Sequence, residues 1–132
     1  MRYMLDTNIC SYILKQRPAG VKQHFAEVGA DNVYLSSIVL AELYYGAARH
    51  HKSVIIRREI DDFVSRLTVL VWDEKAADHY GVIRTSLEKA GTPIGAMDML
   101  IAAHARSCRA TLVTNNQREF ARINGLTVVN WV

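Results

Sequence analysis

Arg2-Tyr3-Met4-Leu5-Asp6-Thr7-Asn8 is the stretch whose reading decides the fold. Arg2 to Asp6 is short and apolar at its centre, so it reads as a strand that ends in a carboxylate. Its apolar positions run on without alternating with polar ones, as in strands buried on both faces of a parallel sheet. Outward along the chain, Asn32 to Ser36, Thr68 to Trp72, Ala110 to Thr114 and Leu126 to Trp131 have the same character. Helical periods separate them. Ile56, Ile60, Phe63, Val64 and Leu67 make one stripe across Ser53 to Leu67. Asp73 is a good N-cap for a helix carrying Ala76, Tyr80, Ile83, Leu87 and Ala90 on one face, with Gly91 as its stop and Pro93 beyond. Val21, Phe25 and Val28 mark a shorter helix between Pro18 and Gly29. Strands alternating with helices predict an α/β three-layer sandwich. It has a central, mostly parallel sheet of about five strands, helices on its faces and right-handed crossovers.

Length and composition agree. The 132 residues suit a single domain over 1–132, and 50% apolar residues are enough for a buried core. With 22% charged residues, 7 Gly and 2 Pro, the chain is neither a disordered tail nor a collagen-like repeat. No apolar run is long enough to span a membrane. Asp6 interrupts any signal-peptide core, so a cytoplasmic location is expected. Cys10 and Cys108 have no metal-type spacing and are expected as reduced thiols. The net charge of +3 is a mild bias toward anionic partners.

Ligands of open α/β sheets lie beyond the carboxyl ends of the strands. Asp6 ends the first strand there. It suits a helix N-cap and a functional carboxylate equally, and the two roles are compatible. Glu42 lies in Ser37-Ile38-Val39-Leu40-Ala41-Glu42-Leu43-Tyr44-Tyr45-Gly46-Ala47. Its helical neighbours Ile38, Val39, Tyr45 and Gly46 offer no cation, and a buried unpaired carboxylate is costly, so a cleft holding a cation is the better reading. Asp98 opens a helix from Met97 to Ser107 and shares its face with Ile101, Ala102 and Ala105. A first-turn Asp complements the helix dipole, but that role does not require an inward face. Val113-Thr114-Asn115-Asn116-Gln117-Arg118-Glu119-Phe120 places Thr114, Asn116 and Glu119 at the same edge of the sheet. The other acids, such as Glu59, Asp61, Asp62, Glu74, Asp78 and Glu88, fall on polar faces or in first turns and read as solvated surface.

Converging carboxylates repel one another unless protonated or neutralised by a metal. An all-oxygen donor set suits Mg²⁺ or Mn²⁺, whereas zinc motifs are missing. His50-His51 reads as a solvated basic patch and the other histidines as structural or surface residues. Acyl-transfer and nucleotide-loop motifs are also missing. Mg²⁺ held by carboxylates fits phosphoryl chemistry. Arg49, His50, His51, Lys52, Arg57 and Arg58, with Arg106, Arg109, Arg118 and Arg122, are candidates to track a nucleic-acid backbone.

Taken together, Leu5-Asp6-Thr7-Asn8, Ser36 to Leu43, Pro93 to Ala105 and Val113 to Phe120 resemble the four motifs of PIN-domain ribonucleases, in order and over nearly the whole chain. Within that family the chain resembles VapC-type toxins of bacterial toxin–antitoxin pairs. The resemblance implies a Mg²⁺-dependent endoribonuclease, commonly acting on transfer RNA, inhibited by a VapB antitoxin and homodimeric. It places Asp6, Glu42 and Asp98 on the acidic metal-site positions. One departure is Asn116, where many PIN domains carry Asp; Glu119, one helical turn on, can supply the fourth acid. Asp6 and Asp98 are then expected to bind the metal, Glu42 to complete the shell or accept a proton from water, and Asn8, Thr114 and Asn116 to orient water and phosphate. Two other readings compete. Asp6 could be the nucleophile of an aspartyl-phosphate phosphatase, although such enzymes need a second acid where Asn8 stands. Alternatively, Asn116 could mark a catalytically weak PIN-like module that binds RNA or a partner.

Overall fold

The computed structural model describes residues 1–132. Five strands form one parallel sheet: β1 (Tyr3–Leu5), β2 (Val33–Ser36), β3 (Thr68–Leu70), β4 (Thr111–Val113) and β5 (Val128–Val129). Their order is β3-β2-β1-β4-β5. Tyr3 is in register with Val33 on one side and Thr111 on the other, and Met4 with Tyr34 and Leu112. Met4, Leu5, Val33, Leu35, Leu112 and Val113 are all fully buried, as continuous apolar runs require.

Seven helices connect and cover the strands: α1 (Thr7–Lys15), α2 (Ala19–Val28), α3 (Ser37–Ala48), α4 (Ser53–Ser65), α5 (Glu74–Lys89), α6 (Ala96–Ser107) and α7 (Gln117–Phe120). The stripe read on α4 is the packed one, with Ile60 and Phe63 buried and Phe63 against Phe25 of α2 at 5.8 Å between ring centroids. Asp73 does cap α5, accepting from the Ala76 N–H at 3.1 Å. Ala76, Ile83 and Leu87 are buried on that face, but Ala90 is exposed because the helix ends one residue before it.

The strands are shorter than the apolar runs. β3 stops at Leu70, and the Trp72 N–H turns away to the Ser37 hydroxyl at 3.0 Å. At the other edge β5 keeps only two residues, and Trp131 leaves the sheet to pack on Tyr3 at 5.7 Å. Both cysteines are free thiols; Cys10 is buried behind Asp6, and burial pushes its thiol well above the usual range. No helix is long and apolar enough to cross a membrane.

The strand order places the site. From β1 the chain steps outward through β2 and β3, then returns to the other side of β1 with β4. The carboxyl ends of β1 and β4 therefore flank the point where the winding reverses, the crevice in which open α/β sheets bind ligands.

Candidate active site

Asp6 follows the central strand directly and is 6% exposed. It caps α1, accepting from the Ile9 N–H at 2.9 Å. The cap and the functional position are thus one residue. Burial raises its pKa above the ordinary value, while the neighbouring Thr114 side chain and the Ile9 and Asn8 N–H groups pull it back. Glu42 adds a further upward push by its charge, which puts it within electrostatic reach of Asp6. Glu42 is half-buried on α3 and accepts from the Thr7 hydroxyl at 2.7 Å. The residue after the strand-ending acid thus steers the acid on a helix far along the chain. Sequence reading did not single out Thr7, although it stands inside the opening motif.

Asp98 sits half-buried in the first turn of α6. Its pKa is pushed up to about 6, first by burial and then by the charges of Glu119, Asp6 and Glu42. Glu119 is held in turn. It accepts from the Gly95 N–H at 3.3 Å and from the Asn116 side-chain amide. Gly95 lies beside Asp98: a Cβ there would stand in ordinary contact, 3.6 Å, with an Asp98 carboxylate oxygen. Thr114 is fully buried, and its hydroxyl accepts from the Asn116 N–H at 2.9 Å. Asn8 is exposed and its side chain makes no hydrogen bond within the chain.

Four chain segments therefore bring Asp6, Glu42 and Glu119 within electrostatic reach of Asp98. Thr114 and Asn116 serve here to orient the acids. None of the four is in a salt bridge. The three ion pairs, Arg57–Asp61, Arg66–Asp62 and Arg84–Glu88, each join residues four apart along α4 and its C-cap or along α5, and none includes a site acid. The carboxylates do not close on one point: no group of three His, Cys, Asp or Glu side chains is assembled as a finished metal cage. Thr7 holds Glu42 aside, and Gly95 with Asn116 holds Glu119. The donor set still fits a hard divalent cation, being oxygen throughout, mutually repulsive and without a protein cation.

A groove of about 520 Å³ leads away from Thr7 and Glu42 between α1, α3 and α4. Lys15, Tyr45, Arg49 and His50 line its far part. The Arg49 guanidinium lies 5.1 Å from the Tyr45 ring centre, and His50 stacks on His51. Other basic residues are occupied elsewhere. Arg106 donates to His79 and to the Asn124 carbonyl, Arg122 to the Pro93 carbonyl and Arg57 to Asp61.

Comparison with known proteins agrees with this geometry. The PIN domain model matches residues 3–126. Ribonuclease VapC2 of Haemophilus influenzae is 46% identical over 132 residues, covering 100% of this chain and 99% of its own length. The tRNA(fMet)-specific endonuclease VapC of Shigella flexneri is 43% identical over 131 residues, covering 99% and 98%. Among solved structures, VapBC2 from Rickettsia felis, bound to a DNA fragment from its promoter, superposes with a TM-score of 0.94 at 43% identity over 100% of both chains. The chain belongs to the PIN-domain family, among its VapC ribonucleases.

Proposed function

We propose that the chain is a divalent-metal-dependent endoribonuclease and the toxin of a VapBC-type pair. The observation that supports this best is the set of four acids without a protein cation at the carboxyl edge of the sheet. Asp6 and Asp98 would hold the metal, Mg²⁺ or Mn²⁺, with Glu119 in the place of a fourth acid. A bound divalent ion supplies charge neutralisation at the scissile phosphate and a lowered pKa for its water. Asp6, locked as a helix cap, offers a carboxylate that cannot swing away. Glu42, held by the Thr7 hydroxyl, would complete the shell or accept the proton of the attacking water. Asn116 steers Glu119 and keeps its charge beside Asp98.

Direct attack by water leaves a 5′-phosphate and a 3′-hydroxyl. A metal-free ribonuclease using the RNA's own 2′-hydroxyl leaves a cyclic phosphate. The groove past Glu42 offers the substrate strand Lys15, Arg49 and an exposed tyrosine face, the pairing of charge and stacking that single-stranded nucleic acid needs. Transfer RNA is the substrate class to try first, given the name of the Shigella relative. The Rickettsia complex supports a VapB-type antitoxin as inhibitor. A homodimer in the cytoplasm completes the reading.

The test is cleavage of total cellular RNA with Mg²⁺ or with chelator, followed by sequencing of both ends. Metal-dependent cuts with 5′-phosphates are expected, and they should vanish in Asp6→Asn and Asp98→Asn. Undiminished cleavage in chelator, or cyclic-phosphate ends, would overturn the assignment. A beryllofluoride adduct on Asp6 would point to the phosphatase chemistry instead.

A further inference from the structure

His104 is the one fully buried histidine, 1% exposed, and the chemistry above does not use it. Its Nδ1 stands 2.7 Å from the Ser36 hydroxyl, which is 0% exposed. Ser36 ends β2 and is the N-cap of α3, where its oxygen accepts from the Ile38 N–H at 3.2 Å. The hydroxyl keeps both its own proton and a second lone pair for His104 Nδ1, so the ring and the helix cap share one buried oxygen whichever ring tautomer is present. Burial favours the neutral ring by lowering the His104 pKa, against a smaller upward pull from the Asp73 charge.

The bond has a consequence for the site. α3 carries Glu42 and α6 carries Asp98. Ser36 and His104 thus tie together the two helices that deliver those acids. A second string runs beside the first: Ser37 accepts from the Trp72 N–H, and the Trp72 indole donates to the Leu100 carbonyl of α6 at 2.9 Å. Like charges on two helices push those helices apart, and the two strings oppose that push in the interior.

Building on the proposed function, we propose that His104 is a positioning residue. Through Ser36 it sets the spacing of Glu42 and Asp98, and so the affinity of the site for a divalent cation. It touches neither metal nor substrate. Partners bonded directly to metal ligands change metal affinity by about 10–100-fold when removed, and His104 acts one bond further back, so the lower end of that range is expected.

The experiment uses the full chain with His104→Leu and His104→Asn. Leucine fills the space without a hydrogen-bonding group, whereas the asparagine amide can take the place of Nδ1 as donor or acceptor. Mn²⁺ affinity is read by electron paramagnetic resonance without RNA, alongside Tm and the kcat and KM for RNA. His104→Leu is expected to stay folded, lose about 10-fold or more in Mn²⁺ affinity and lose kcat with KM kept. His104→Asn should retain both to within a few-fold. A folded His104→Leu that binds Mn²⁺ like wild type overturns the proposal, as does an asparagine variant as impaired as the leucine one. Should leucine prevent folding, Ser36→Ala removes the same bond together with the Ile38 cap, and a folded Ser36→Ala that binds Mn²⁺ like wild type overturns the proposal. Failure of the nuclease reading would look different: wild type would bind Mn²⁺ through Asp98 yet cut no RNA.

Discussion

Asp98→Asn should make the metal-free protein more stable while it removes activity. The ionised side chain is held half-buried on α6 among the charges of Glu119, Asp6 and Glu42, and its pKa stands at about 6 against an ordinary 3.8. An acid whose folded pKa is raised stabilises the fold only while protonated. That contribution is full below about 3.8 and is lost as pH climbs through about 6. At 1.36 kcal/mol per pH unit the raised value corresponds to about 3 kcal/mol. Solvent screening of a half-exposed group reduces this to about 1–2 kcal/mol. A first-turn carboxylate gains about 0.3–1 kcal/mol from the helix dipole, which acts in the other direction but is smaller. The net expectation in chelator near neutral pH is therefore a variant about 1 kcal/mol more stable than wild type. Urea unfolding of both proteins between about pH 4 and 8 measures it, and the difference should close toward the acid end. Mn²⁺ or Mg²⁺ should then stabilise wild type, by about 2.7 kcal/mol at one hundred times the Kd, and leave the variant unmoved. A variant less stable than wild type at neutral pH, or a gap that persists at pH 4, would refute the reasoning.

Three further outcomes follow from the same geometry. Thr7→Val keeps the volume but removes the hydroxyl that holds Glu42; kcat should fall about 10-fold or more with the fold intact, as steady-state cleavage kinetics would show. Glu119→Gln removes the largest charge acting on Asp98, so the Asp98 carboxyl should titrate lower in metal-free NMR; an unchanged titration would mean that Glu119 is not beside it. Phe63→Ala, at a fully buried ring packed on Phe25, should cost about 3–5 kcal/mol in urea unfolding without altering Mn²⁺ affinity per folded molecule.

Much of the fold was legible because its signals are local. Continuous apolar runs with few charges mark strands covered on both faces, and all five such runs contain a strand of the sheet. Their ends were not legible, because a distant partner sets them. β3 stops where Trp72 finds Ser37, and nothing around Trp72 in the sequence announces that hydroxyl. The acids were conspicuous for a physical reason as well: Glu42 and Asp98 each sit on an apolar helical face, which neither a solvated carboxylate nor a helix-dipole partner requires. What could not be read was how each is held. The partners of Glu42 and Glu119, Thr7 and the Gly95 N–H, lie far from them along the chain. Asn116 drew notice as a missing acid, whereas in the structure its amide steers Glu119.

The way the acids are held bears on how the site is switched on. Three of the four carboxylates are restrained by neutral donors: Ile9 N–H for Asp6, Thr7 hydroxyl for Glu42, Gly95 N–H and Asn116 amide for Glu119. Neutral donors fix direction without cancelling charge, so the repulsion that raises Asp98 persists until a cation arrives. An Arg or Lys within the cluster would relieve the same repulsion permanently and would compete with the metal. The structure places its ion pairs elsewhere. The arrangement therefore favours any external cation, and a positively charged side chain from a bound protein would satisfy it as well as a metal does. An inhibitor acting this way should weaken divalent-ion binding in proportion to its occupancy. Titration of Mn²⁺ affinity against increasing antitoxin tests that, and binding of the two without mutual effect would place the inhibitory contact elsewhere.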